Sequence, residues 1–151
     1  MMLARAVLTV GLLVFCSAFA GASAGVLQVH DTWIRDAPPT ARMRSAYAVL
    51  INEGDSEIEV VSASSPDFGL VEMHETRMEN DIAKMRELPS VKIAPGAKFT
   101  FKPSGAHFML MQPKREMHKG DSTTITLTLK SGEVLEAGFV VGPPPKPKTA
   151  N

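Results

Sequence analysis

Thr123-Thr124-Ile125-Thr126-Leu127-Thr128-Leu129 alternates without interruption, with Ile125, Leu127 and Leu129 on one side and threonines on the other. A period of two belongs to an extended strand, whose successive side chains point to opposite faces, so this stretch predicts a strand with one face on a core and one in water. Working outward, short alternating or β-branched runs recur at Leu27 to Ile34, Ser45 to Ile51, Ile58 to Ala63, Leu70 to Thr76, Lys98 to Lys102, His107 to Gln112 and Val134 to Val141. Between several of them stand residues that accept a positive φ or begin a turn: Asn52-Glu53-Gly54-Asp55, Pro103-Ser104-Gly105, Lys119-Gly120-Asp121 and Ser131-Gly132. The pattern is that of an all-β protein, a compact antiparallel sandwich of eight or so strands. Glu79 to Met85 can be read as a helical turn, but Pro89 follows closely and no long amphipathic helix fits after residue 25.

The chain of 151 residues suits one domain with one core. Lysine plus arginine and aspartate plus glutamate number 16 each, and 44% of residues are hydrophobic, which excludes both a disordered chain and a polyanion-binding surface; nucleic acid is not an expected partner. The first two dozen residues differ from the rest. Arg5 is their one charge, an apolar run extends from Ala6 to Ala20, and Ala22-Ser23-Ala24 offers the small residues of a cleavage site. Residues 1–24 therefore read as a signal peptide, 25–142 as the β domain, and Pro143 to Asn151 as a flexible proline- and lysine-rich tail. A retained membrane anchor is the alternative for the first segment, since Ala6 to Ala24 approaches the roughly 20 apolar residues that cross a bilayer. Cys16 lies within it behind the bulky Phe15, which does not suit lipid attachment; with the segment removed, the domain carries no cysteine at all.

Four residues carry the candidate chemistry. His107 and Met109 are two apart in an expected strand and so aim a nitrogen and a sulfur the same way, while His74 and Met85 flank a presumed loop. A thioether is a neutral, soft donor that suits copper(I) and serves zinc, calcium or magnesium poorly. Methionine in the set thus favours copper(I), and it needs no deprotonation in an oxidising compartment where a thiolate is prone to oxidise. Met43, Met73, Met78, Met111 and Met117 read as gap-fillers or surface residues, and His30 and His118 as surface groups. By pattern alone, His107-Phe108-Met109-Leu110-Met111 reads equally well as a core strand.

The spacing also resembles a known family. Periplasmic copper chaperones of the PCu(A)C type share a His, ten residues, a Met, twenty-one residues and His-x-Met; here His74, Met85 and His107-Phe108-Met109 stand at those intervals. The likeness runs from about Val26 to Val141 through Trp33-Ile34-Arg35, Pro38-Pro39, Tyr47-Ala48-Val49-Leu50-Ile51-Asn52, Glu72-Met73-His74-Glu75-Thr76 and Gly120-Asp121. It implies a cupredoxin-like sandwich and one copper(I) per chain on His74, Met85, His107 and Met109. It also implies delivery in the periplasm to the dinuclear copper centre of cytochrome c oxidase or to another thiol-bearing copper chaperone. Ser104-Gly105-Ala106 departs from the pair of glycines the family usually carries before the histidine, and the tail lacks the histidines and methionines that give some members a second site.

Several readings compete. An electron-transfer cupredoxin needs a cysteine thiolate that the domain lacks. An exported zinc enzyme would use His74, His107 and Glu72 or Glu75 around an open position. A metal-free interaction module would use the same residues only for packing. The copper carrier, monomeric, non-enzymatic and free of the membrane once the signal is removed, is the expectation. Its affinity should fall with acid, because an imidazole must be neutral to bind.

Overall fold

The computed structural model describes residues 26–146; the expected signal peptide at 1–24 and the tail beyond residue 146 lie outside the described residues. Ten strands and no helix are described: β1 (Leu27–Ile34), β2 (Met43–Asn52), β3 (Ile58–Ser64), β4 (Phe68–Glu79), β5 (Ile82–Glu87), β6 (Val91–Ile93), β7 (Lys98–Phe101), β8 (Ala106–Pro113), β9 (Ser122–Leu129) and β10 (Val134–Val140). All strand pairings within the sheets are antiparallel. One sheet runs β1-β2-β8-β4-β5, with β7 pairing Ala48 to Ile51 of β2 beyond the end of β8; the other runs β10-β9-β3-β6. The expected all-β sandwich is what the chain forms.

β9 behaves as its alternation predicts: Ile125, Leu127 and Leu129 are buried and the threonines between them are not. Facing it across the sandwich, Phe108 of β8 stacks on Phe101 of β7 with ring centroids 4.1 Å apart and meets Phe139 of β10 edge-on at 6.2 Å. Such aromatic pairs add about 0.5–1.5 kcal/mol beyond the area they bury, and this one ties the two sheets through the middle of the core.

The helical turn expected at Glu79 to Met85 is not formed. β4 runs on to Glu79, Asn80 and Asp81 adopt φ of 51° and 61°, and Ile82 starts β5 directly opposite Glu79. Asn and Asp tolerate the left-handed region, and two such residues make the tight hairpin turn whose twist matches the strands. β6, only three residues long, also had no expected counterpart.

Two polar devices fix the ends. Asn52, fully buried at the end of β2, donates from Nδ2 to Ser56 O (2.7 Å) and Ile93 O (2.9 Å), and its Oδ1 accepts from Gly54 N (2.9 Å). Arg115 pairs with Asp67 (3.0 Å) and Asp121 (3.2 Å), joining the β3–β4 and β8–β9 connections.

Asn52→Ala removes three hydrogen bonds and leaves buried backbone groups without partners, so it should cost about 2–3 kcal/mol in urea unfolding. Acid tests the second device. Hydrogen bonds from Arg115, then Thr123, hold Asp67 below its ordinary value, and the backbone of His118, then Arg115, does the same for Asp121. Depressed carboxylates contribute stability above the unfolded value that is lost as pH falls from about 4 toward the folded values. The gap in thermal midpoint between the native protein and Arg115→Ala should therefore narrow on titration from neutrality to about pH 3.

Candidate metal centre

β4 and β8 are paired so that His74 lies directly opposite His107 and Glu72 directly opposite Met109. Residues opposite one another in an antiparallel pair share a face, so Glu72, His74, His107 and Met109 all project from the outer face of the larger sheet. The core face of these strands is taken by Val71, Met73, Phe108 and Leu110. On the other side of β4, Thr76 pairs with Met85 of β5, which brings Met85 to the same outer face, diagonal to His74. The register thus places all four candidate ligands on one face, and the loop presumed between His74 and Met85 is a β-hairpin whose second strand carries Met85.

The imidazoles of His74 and His107 have ring centroids 6.1 Å apart and planes inclined at 53°. Each ring is held by one nitrogen. His74 donates Nε2–H to Glu72 Oε2 (2.8 Å), and His107 donates Nδ1–H to Gly105 O (3.0 Å). A neutral imidazole that donates from one nitrogen presents a lone pair on the other. Those other atoms, His74 Nδ1 and His107 Nε2, are both buried without a hydrogen-bond partner. Buried polar atoms are nearly always satisfied, so two such lone pairs on adjoining rings call for a ligand between them. An ion bound at about 2 Å from each nitrogen fits a pair of rings at this separation.

The sulfurs differ in access. Met109 is 9% exposed and Met85 52%. Met109 lines a cavity of about 150 Å³ with Arg35, Ala37, Met43, Arg44 and Ser45. Arg44 secures the neighbouring 37–38 segment: its guanidinium, almost fully buried, donates to Ala37 O (3.2 Å), Pro38 O (2.9 Å) and Met117 O (2.8 Å). Sequence reading found the four candidate ligands but missed Glu72 and Gly105 as the groups that orient the rings. The only signal for Glu72 was its position two residues before His74 on the same face. The Ser104-Gly105-Ala106 departure is where that orientation is built: Ser104 adopts a φ of 62°, and Gly105 O receives the His107 proton. Among the described residues, no three His, Cys, Asp or Glu side chains converge in a way that would hold a metal. Of the methionines read as structural, Met73 and Met117 are in the core, whereas Met43 and Met78 are exposed.

The antiparallel sandwich is the fold of the PCuAC domains. The copper(I) form of DR1885 from Deinococcus radiodurans superposes with a TM-score of 0.62 and 30% identity, covering 81% of this chain and 82% of that one. The copper-bound PCuAC domain of PmoF2 superposes at 0.65 with 18% identity, covering 80% and 95%, and so shares the fold. The LpqE-like family model matches residues 27–141, and the chain belongs to that family. Among its relatives, the Leifsonia xyli subsp. xyli (strain CTCB07) protein Lxx21020 is 30% identical over 113 residues, 74% of this chain and 67% of that one. Protein RP573 of Rickettsia prowazekii (strain Madrid E) is 32% identical over 81 residues, 53% of this chain, and this chain spans 45% of its length.

The ring assignment is open to test without metal. Long-range 1H–15N spectra of the protein should show His74 protonated on Nε2 and His107 on Nδ1. Glu72→Ala should let His74 sample both tautomers and leave His107 unchanged; a His74 spectrum indifferent to that substitution would remove Glu72 from the site.

Proposed function

We propose that the protein is an exported copper(I) carrier that holds one ion through His74 Nδ1, Met85, His107 Nε2 and Met109 and passes it to a cysteine-bearing acceptor. The observation that carries this reading is the pair of buried, unpartnered ring nitrogens on adjoining strands with a buried thioether beside them. Two imidazoles and two thioethers are neutral donors of the softness that copper(I) prefers and that hard cations do not. The bound copper in PmoF2 and DR1885 supports the same identification.

Exposure gives the order of transfer. Met85, half exposed, is the donor that an incoming thiolate meets and displaces first, while His74, His107 and Met109 keep hold of the ion from the buried side. A thiolate is the stronger ligand, so transfer runs downhill with no catalytic step. The resemblance to PCu(A)C proteins points to the copper-bearing subunit of cytochrome c oxidase, or to a thiol-bearing copper chaperone, as the acceptor. The small-residue site after the apolar run at 6–20, and the lipoprotein description of the LpqE-like family, support export, with the periplasm as the compartment. A zinc enzyme is disfavoured because both of its candidate carboxylates are engaged, Glu72 by His74 Nε2 and Glu75 by Arg77.

Anaerobic titration with copper(I) against a coloured chelator tests the site. The native protein should retain one equivalent, and Met85→Ala and His107→Ala should each weaken it by roughly 10–100-fold, the larger loss falling on His107→Ala. Binding indifferent to both substitutions would sink the carrier reading, and tight zinc binding that ignores Met85 would put the enzyme in its place. Lowering the pH through the histidine range should release the ion, because protons compete for the same two nitrogens.

A further inference from the structure

The outer face of the larger sheet continues past the four candidate ligands. Two positions beyond Met109 on β8 stands Met111, with Met43 of β2 directly opposite on one side and Leu70 of β4 on the other. Directly opposed residues have Cβ atoms about 4.5–5.5 Å apart, and methionine's flexible stem lets two such sulfurs converge on a point between them. Met43 is 58% exposed and Met111 only partly buried, so packing does not account for the pair as it does for Met73 and Met117.

The cavities connect this pair to the site. Met43 lines the small cavity that it shares with Met109, and it also lines a larger surface groove of about 620 Å³ that it shares with Met111. A thioether thus stands between the buried ligand and open solvent, with a second one facing it. Arg42 and Lys114 on the groove wall disfavour a resident cation there, so an ion held by the two sulfurs would be held loosely.

We propose that Met43 and Met111 form a second, weaker docking site for copper(I), made of two thioethers and placed one strand step from Met109, through which the ion enters or leaves the histidine pair. The identity of the ion rests on the carrier reading above; the placement of the pair does not.

The test uses the protein labelled with 13C at its methionine methyls and titrated anaerobically with copper(I). The first equivalent should move the methyls of Met85 and Met109. A second, held roughly a hundred-fold more weakly, should move those of Met43 and Met111. The Met43→Leu/Met111→Leu double variant, which conserves side-chain volume, should keep the first phase and lose the second. Met43 and Met111 methyls that stay still through the second equivalent, or a second phase that survives in the double variant, would overturn this inference and leave the carrier reading standing. Movement of Met43 and Met111 alone, with Met85 and Met109 silent at every ratio, would uphold the thioether site and overturn the carrier reading instead.

Discussion

The direct pairing of His74 with His107 across β4 and β8 is the constraint on which the site depends. Two imidazoles on a flexible loop would lose conformational entropy each time they converged on an ion, whereas here the backbone ladder has already brought them to 6.1 Å. The pairing is protected by what lies beneath it. Phe108 sits between the two candidate ligands of β8 and points into the core, where it stacks on Phe101 and meets Phe139. A slip of β8 by one residue would drive His107 and Met109 into that core and expel Phe108 and Leu110, so the aromatic cluster enforces the register that sets His107 opposite His74.

The orientation of each ring is set with equal economy. Each histidine donates a hydrogen bond to a group close in sequence, Glu72 on the same strand in one case and Gly105 O at the preceding turn in the other. The rings are therefore fixed by local geometry, and the two nitrogens that remain, His74 Nδ1 and His107 Nε2, are the two that are buried without a partner. The two histidines leave different nitrogens free because the hydrogen bond is made from Nε2 in His74 and from Nδ1 in His107, a distinction that spacing alone does not contain.

Much of this was legible beforehand, for identifiable reasons. The β9 alternation and the His107-x-Met109 step are period-two patterns, and a strand converts them directly into faces. The hairpin from Phe68 to Glu87 was only half legible. Asn80-Asp81 lacks the glycine that usually advertises a tight hairpin turn, and β5 is exposed at every position, so no hydrophobic alternation marks it. Its sequence, Ile82 to Glu87, contains strong helix formers whose local preference yields to pairing with β4. β6 escaped because three residues are too few to show a period. The roles of Glu72, Gly105 and Arg44 depend on which atoms meet in space, and side-chain type alone does not encode that.

The interval of ten residues between His74 and Met85 follows from the same hairpin. With Asn80 and Asp81 as its two-residue turn, β5 returns so that Glu87 faces His74 and Met85 faces Thr76. Met85 then lies on the ligand face, one pleat nearer the hairpin tip than His74, where its sulfur can reach back diagonally over the histidine pair. Adding or removing one residue in the turn would shift the pairing by one and send Met85 to the opposite face of the sheet. Met85 sits on an edge strand open to solvent, while His107 and Met109 sit on β8 between neighbours on both sides. The topology thus separates the candidate donors into an anchored group and one accessible arm, the division of labour that the proposed carrier requires if it is to hold an ion and still release it to a partner.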